Sequence, residues 1–179
     1  MSFEAIFRYL DSETDREKLL EDIRQVRREV INMTEIVPED KWYEPRYHGW
    51  SLAAMLGHLQ SMDNINMWLV QLALVGVRLP IPINVVDGFN DTMAQVFRRR
   101  LVETTVRGIE TKEEVVTQFI LSLPIDKFTM QVFHPPMGKY LTIEQALQVF
   151  FLHHWQEHLQ TMRNIEDIQH EPPLDTSAG

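Results

Sequence analysis

The chain has 179 residues, 44% of them hydrophobic and 24% charged, with a formal net charge of -9 and no cysteine. This is the size and composition of one globular domain. The acidic balance argues against sequence-independent binding of DNA or RNA, which needs a basic surface, and the lack of cysteine excludes disulfides, thiolate nucleophiles and cysteine-zinc sites.

Residues Met1 to Arg8 lack a basic region followed by an apolar run, so no secretory signal is expected. The first helical block opens at Thr14, with Glu17 three residues on as a capping box. Leu19, Leu20, Ile23, Val26, Val30, Ile31 and Met33 then recur at helical spacing, up to Pro38. Pro38 to Gly49 reads as a turn or linker. Ser51 is the expected N-cap of a second helix running to about Val75, stopped by Gly76, Pro80 and Pro82. The most apolar stretch, Ile65 to Ile83, is interrupted by Asn66, Gln71, Arg78 and the two prolines, so it does not make a membrane span. The expectation is a cytoplasmic protein.

Residues 77–90 read as a loop. Asn90 or Asp91 is expected to cap a third helix that breaks at Gly108 and restarts at the Thr111/Glu114 capping box. Arg98, Arg99 and Arg100 read as a solvated helix face. Pro124 ends the third block, and residues 124–141, with Phe133-His134-Pro135-Pro136 and Gly138, carry a loop signature. Thr142 with Gln145 caps a fourth helix to about Ile165. No segment shows a defensible period-2 strand pattern. The pattern predicts an all-α four-helix bundle with one longer crossover connection. It forms a single domain over residues 1–170, with a disordered tail over 171–179.

Seven histidines are present. On the fourth helix the apolar stripe Ile143, Leu147, Phe151, Met162 and Ile165 passes through His154 and His158. Their i,i+4 spacing puts two imidazoles on one side of the helix, within reach of one metal ion. On the second helix His58 shares a stripe with Met55, Met62, Ile65 and Leu69. A third imidazole from a neighbouring helix completes a three-nitrogen site with open positions, the pattern of a reactive metal. Against this stands the plainer reading of each histidine as a core residue bonded to a backbone carbonyl. His153 pairs with Glu157 at the same spacing but on a face without apolar continuation, which reads as exposed. Glu157 can alternatively accept a proton from a ligand's second ring nitrogen. His154 to His158 also matches H-x-x-E-H, the inverted zinc-protease signature. That reading is set aside, because it needs a further acidic ligand well downstream and only a loose-looking tail follows. Asp87, Asn90 and His134 fall in loops that can line a site, but each reads first as a turn or capping residue.

Three passages resemble the DinB-like superfamily with its YfiT-like metal-dependent members. These are Gly49-Trp50-Ser51-Leu52 with Gly57-His58-Leu59, Gly138-Lys139-Tyr140-Leu141-Thr142 with Glu144-Gln145-Ala146-Leu147, and His154 with His158. In order they span roughly residues 14–165. The resemblance implies a four-helix bundle, a divalent metal (zinc or nickel) held by His58, His154 and His158, and a homodimer. It also implies an enzyme, a transferase or hydrolase that works with a small-molecule thiol or with metal-bound water. With no cysteine in the chain, the thiol has to arrive as a separate molecule. The alternative expectation is a non-catalytic metal-binding stress or interaction protein.

Overall fold

The computed structural model describes residues 7–167. The tail expected to be disordered lies outside the described residues.

Helix α1 (Glu13–Ile36) is capped by Ser12, whose side chain accepts the backbone N–H of Asp15. Capping thus begins two residues earlier than the Thr14 pattern suggests. Its inward face is the expected stripe: Leu19, Leu20, Ile23, Val26, Val30 and Met33 are buried. Helix α2 (Leu52–Leu74) starts as expected at Ser51, whose hydroxyl accepts from the N–H of Ala54. Its first two turns, Leu52 to Leu59, are buried on every side, so α2 is the central helix.

The crossover after α2 differs from expectation. Helix α3 (Ile83–Phe97) begins directly after Pro82, inside the stretch read as a loop. Proline has a fixed φ and cannot continue a helix from its own N–H, but it can precede one, so Pro82 starts α3 as well as ending the loop. Arg98 to Arg100 form the turn after α3, not a helix face. Helix α4 (Val102–Ser122) then runs unbroken through Gly108, and Thr111 is mid-helix, its hydroxyl donating to the Arg107 carbonyl. Gly108 serves packing instead of breaking the helix. A Cβ there would sit 1.7 Å from the Gln60 side-chain nitrogen of α2.

Residues 131–142 form a β-hairpin, which the sequence did not suggest. Strand β1 (Gln131–His134) pairs antiparallel with β2 (Lys139–Thr142), with Val132 opposite Leu141 and His134 opposite Lys139. Each strand is four residues long and buries one apolar side chain, too short for an alternation to stand out. Gly138, at φ +60°, makes the return turn in a conformation that costs glycine little.

The last bundle element is a rod of three parts: α5 (Ile143–Gln148), a π-helical turn (Val149–His153) and α6 (His154–Ile165). Thr142 and Gln145 form the expected capping box. Helices α1, α2, α4 and the α5–α6 rod make the four-helix bundle, and α3 is the helix of its long crossover. No helix among the described residues is long and apolar enough to cross a membrane.

Candidate metal centre

The π-turn changes how the rod faces the bundle. A π-turn inserts one residue into the helical count. The deeply buried stripe of the rod is therefore Ile143, Leu147, Phe151, Trp155, Leu159 and Met162, while Ile165 is 37% exposed. His154 and His158 flank this stripe, one position before Trp155 and Leu159. They face α2 instead of pointing into the apolar centre. The sequence stripe placed His154 and His158 in its centre, and the π-turn shifts them to its flank.

His58, 4% exposed, meets them from the second turn of α2. The Nε2 atoms of His58 and His154 are 3.2 Å apart, and those of His158 and His154 are 3.1 Å apart. All three rings pack edge to face, with centroids 4.7–5.2 Å apart, and Trp50 packs edge-on against His58 at 5.1 Å. Three nitrogens bound at about 2.0–2.1 Å to one tetrahedral ion lie roughly 3.3 Å from one another. Two of the three separations therefore match a shared ion, and all three ligand atoms lie within 4.8 Å of one another. The buried Nδ1 of His154 has no hydrogen-bond partner, so its ring's polar contacts are the two other ring nitrogens. Among the described residues no backbone carbonyl accepts from these rings, as it would for a packed core histidine.

Burial sets the protonation. It holds the His58 imidazole down at about 3, with the neighbouring His158 adding to the effect. Burial likewise lowers His158 to about 4 and His154 well below the usual imidazole range. All three rings are neutral at pH 7, the form that binds metal.

The cluster lines a cavity of about 810 Å³. Helix α3 gives it Val85, Val86 and Phe89; α2 gives Met62, Ile65 and Leu69. The hairpin adds His134 and Lys139, and the rod Phe150 and Glu157. Of the three positions read as turn or cap residues near the site, Asn90 and His134 line this cavity and Asp87 does not. Asn90 does so from α3. His134 is a capping residue as well, its Nδ1 accepting the backbone N–H of Met137 at 3.2 Å. Burial and the nearby Lys139 charge push its imidazole down to about 4.

His153 is neither exposed nor paired with Glu157. Its Nδ1 meets the side-chain oxygen of Gln156 at 3.0 Å, its ring packs against Phe7, and its buried Nε2 is unpartnered. Glu157 lines the cavity, its carboxyl pushed up by burial, and bonds no histidine. The suggested contact from a ligand's second nitrogen to Glu157 is absent among the described residues.

A second buried polar group escaped the sequence reading. Arg27 of α1 donates to Asp63 of α2 at 2.7 Å, and Trp155 of α6 donates its indole N–H to the other carboxylate oxygen at 3.2 Å. The guanidinium lies 4.7 Å over the Trp155 ring. Neither Arg27 nor Asp63 is more than 1% exposed. A charged residue on an otherwise apolar helical stripe is the signal that marks such a pair; Arg27 falls at helical spacing with Leu20, Ile23 and Val30 on α1.

No family model and no curated protein matches the sequence. Among solved structures, the chain resembles YfiT from Bacillus subtilis, described as a probable metal-dependent hydrolase with an unusual four-helix bundle topology. The TM-score is 0.71 at 14% identity, covering 93% of this chain and 91% of that one. The chain has the YfiT-like four-helix-bundle fold that its sequence motifs suggested.

Proposed function

We propose that this protein is a metal-dependent enzyme of small molecules, with His58, His154 and His158 as the ligands of one divalent ion. The observation that carries the proposal is the convergence of three neutral Nε2 atoms, two of the separations being 3.1 and 3.2 Å, on the wall of a roomy apolar cavity. A divalent ion in such a site supplies Lewis acidity, which makes water or a small thiol nucleophilic near neutral pH. The reaction class is hydrolysis or thiol transfer, and the description of YfiT as a probable metal-dependent hydrolase supports the first.

The chain's own residues do the rest. Val85, Val86 and Phe89 of α3 and Phe150 of the rod offer an apolar group a dry berth beside the histidines. Trp50 packs edge-on against the His58 ring. A purely storage or structural site would not need such a cavity, which favours the enzyme over a non-catalytic metal binder.

The test is direct. Tag-free protein loaded with zinc or nickel is assayed against ester and amide panels, and against electrophiles with small thiols. Turnover that disappears in His58→Ala supports the proposal. Stoichiometric metal without turnover above that variant leaves the non-catalytic binder as the better reading.

A further inference from the structure

His134 differs from the three clustered histidines in one respect: its tautomer is fixed by a contact outside the cluster. The backbone N–H of Met137 donates to its Nδ1 at 3.2 Å. A nitrogen that accepts a hydrogen bond carries no proton, so the ring is neutral and its single proton sits on Nε2. The geometry is built by the hairpin. His134 ends β1 and caps the short turn Pro135–Met137, and Gly138 reverses the chain into β2. Its ring stacks on Phe150 at 5.6 Å and 22°. Phe150 lies four residues before His154 on the rod, so the ring sits one turn from the histidine cluster. The Nε2 makes no hydrogen bond among the described residues and is not sealed in the interior, while the residue lines the cavity. Lys139, paired with His134 across the hairpin, lines the same cavity from its exposed edge. Glu157 is the acidic group of that wall.

We propose that His134 is a positioning residue of the cavity, a neutral Nε2–H donor for an oxygen of the ligand, and that the ligands it selects carry a carboxylate or carbonyl oxygen on an apolar chain. The proposal rests on the metal-site reading for the ligand's placement beside His58, His154 and His158. The apolar walls from α3 and Phe150 take the chain, and the fixed donor takes an oxygen. An ammonium head offers no acceptor and gains nothing from His134. A donor on a rigid hairpin, locked by a backbone bond, needs no reorganisation to meet an incoming oxygen.

Two measurements test this. The first needs neither metal nor turnover: ¹⁵N NMR of the metal-free protein reports which nitrogen of His134 is protonated. The expected result is Nε2–H with unprotonated Nδ1, and the opposite tautomer overturns the proposal. The second is titration of the zinc-loaded protein with octanoate and with octylamine. His134→Asn keeps an acceptor for the Met137 N–H but has no donor where Nε2 stood. It is expected to weaken octanoate roughly tenfold and to leave octylamine within about twofold. His134→Gln, which can place an amide N–H near the Nε2 position, is expected to recover part of the loss. Octanoate that fails to bind the wild type, or binds His134→Asn equally well, overturns the proposal. Zinc content is measured on the same samples. If the wild type takes up no zinc, the metal-site reading fails, and the tautomer measurement still decides the state of His134.

Discussion

Of the three buried polar side chains on helix α2, His58, Asp63 and Asn66, the first two lie five residues apart and each meets the start of α6. Around Asp63 the charges are opposite and the carboxylate is satisfied, while Arg27 keeps its Nε and Nη1 buried without a partner. Arg27 and the Trp155 indole supply donors to both carboxylate oxygens, and the guanidinium lies over the Trp155 ring. Around His58 the groups are alike. The His154 Nε2 lies 3.2 and 3.1 Å from those of His58 and His158, and the buried His154 Nδ1 has no partner. The first cluster neutralises its own charge; the second is a set of like groups that could hold a metal ion. Burial depth does not separate them, since His58 is only 4% exposed and Asp63 1%. What separates them is the sign of the groups, and the cavity that reaches only the histidines.

The comparison predicts that the two clusters fail in opposite ways. Asp63→Ala leaves the Arg27 charge buried and unpaired, and is expected to cost about 3–5 kcal/mol in urea unfolding of the metal-free protein. Replacing both charges by apolar residues, Arg27→Met with Asp63→Leu, is expected to recover most of that loss, because desolvation of the pair is removed with it. A double variant as unstable as the single one would mean that the pair is not self-contained.

At the histidines the large effect is on binding. Zinc at 100 times its dissociation constant should stabilise the wild type by about 2.7 kcal/mol, read as a rise in Tm. His154→Ala should abolish that rise. It should also leave the metal-free protein nearly as stable as the wild type, since the removed ring bonds only to other rings.

The two clusters also bend the pH dependence in opposite directions. His58 and His158 titrate in the folded chain at about 3 and about 4, below the usual 6.5. As pH falls below 6.5 the unfolded chain takes up their protons first, so stability present above 6.5 is lost toward pH 4. Each group contributes up to about 1.4 kcal/mol per pH unit in that window. Asp63 is raised by burial to about 6, against the pull of Arg27. The folded chain therefore takes up its proton first, and between about 6 and 3.8 Asp63 opposes the decline. The metal-free protein should thus lose stability on acidification below pH 6.5, and His58→Ala with His158→Ala should reduce that slope, with His154 and His134 keeping the remainder. Unfolding midpoints between pH 7 and 4.5 measure it.

The smallest effects concern how the helices approach. A Cβ at Gly57, beside His58, would meet the Phe97 ring carbon at 2.7 Å, so Gly57→Ala should cost about 1–3 kcal/mol by overpacking. Gly108→Ala meets the flexible end of Gln60 and should cost less, because that side chain can swing away.

The bundle was legible where periodicity was long. The α1 stripe, the Ser51 cap and the Thr142–Gln145 capping box all appear in the structure, and four helices of the right order follow from them. Short or interrupted patterns were not legible. The Pro80/Pro82 pair hid the start of α3, Gly108 looked like a break because its packing partner Gln60 is distant in sequence, and four-residue strands left no alternation to see. The histidines stood out because an i,i+4 pair of one residue type is legible on any helix. Their relation to α2 came from the motif resemblance, and the π-turn that aims them has no sequence signature. Arg27 interrupts the apolar stripe of α1 and so leaves a signal, but a single charge does not name its partner; only the meeting across α1 and α2 identifies Asp63.

The most direct test of the central claim is the metal content of tag-free protein after dialysis, measured by elemental analysis alongside the His58→Ala, His154→Ala and His158→Ala variants. The account predicts one divalent ion per chain in the wild type and loss of that ion in each variant. Metal-free wild type after loading with zinc and nickel, or variants that keep a full equivalent, would contradict it.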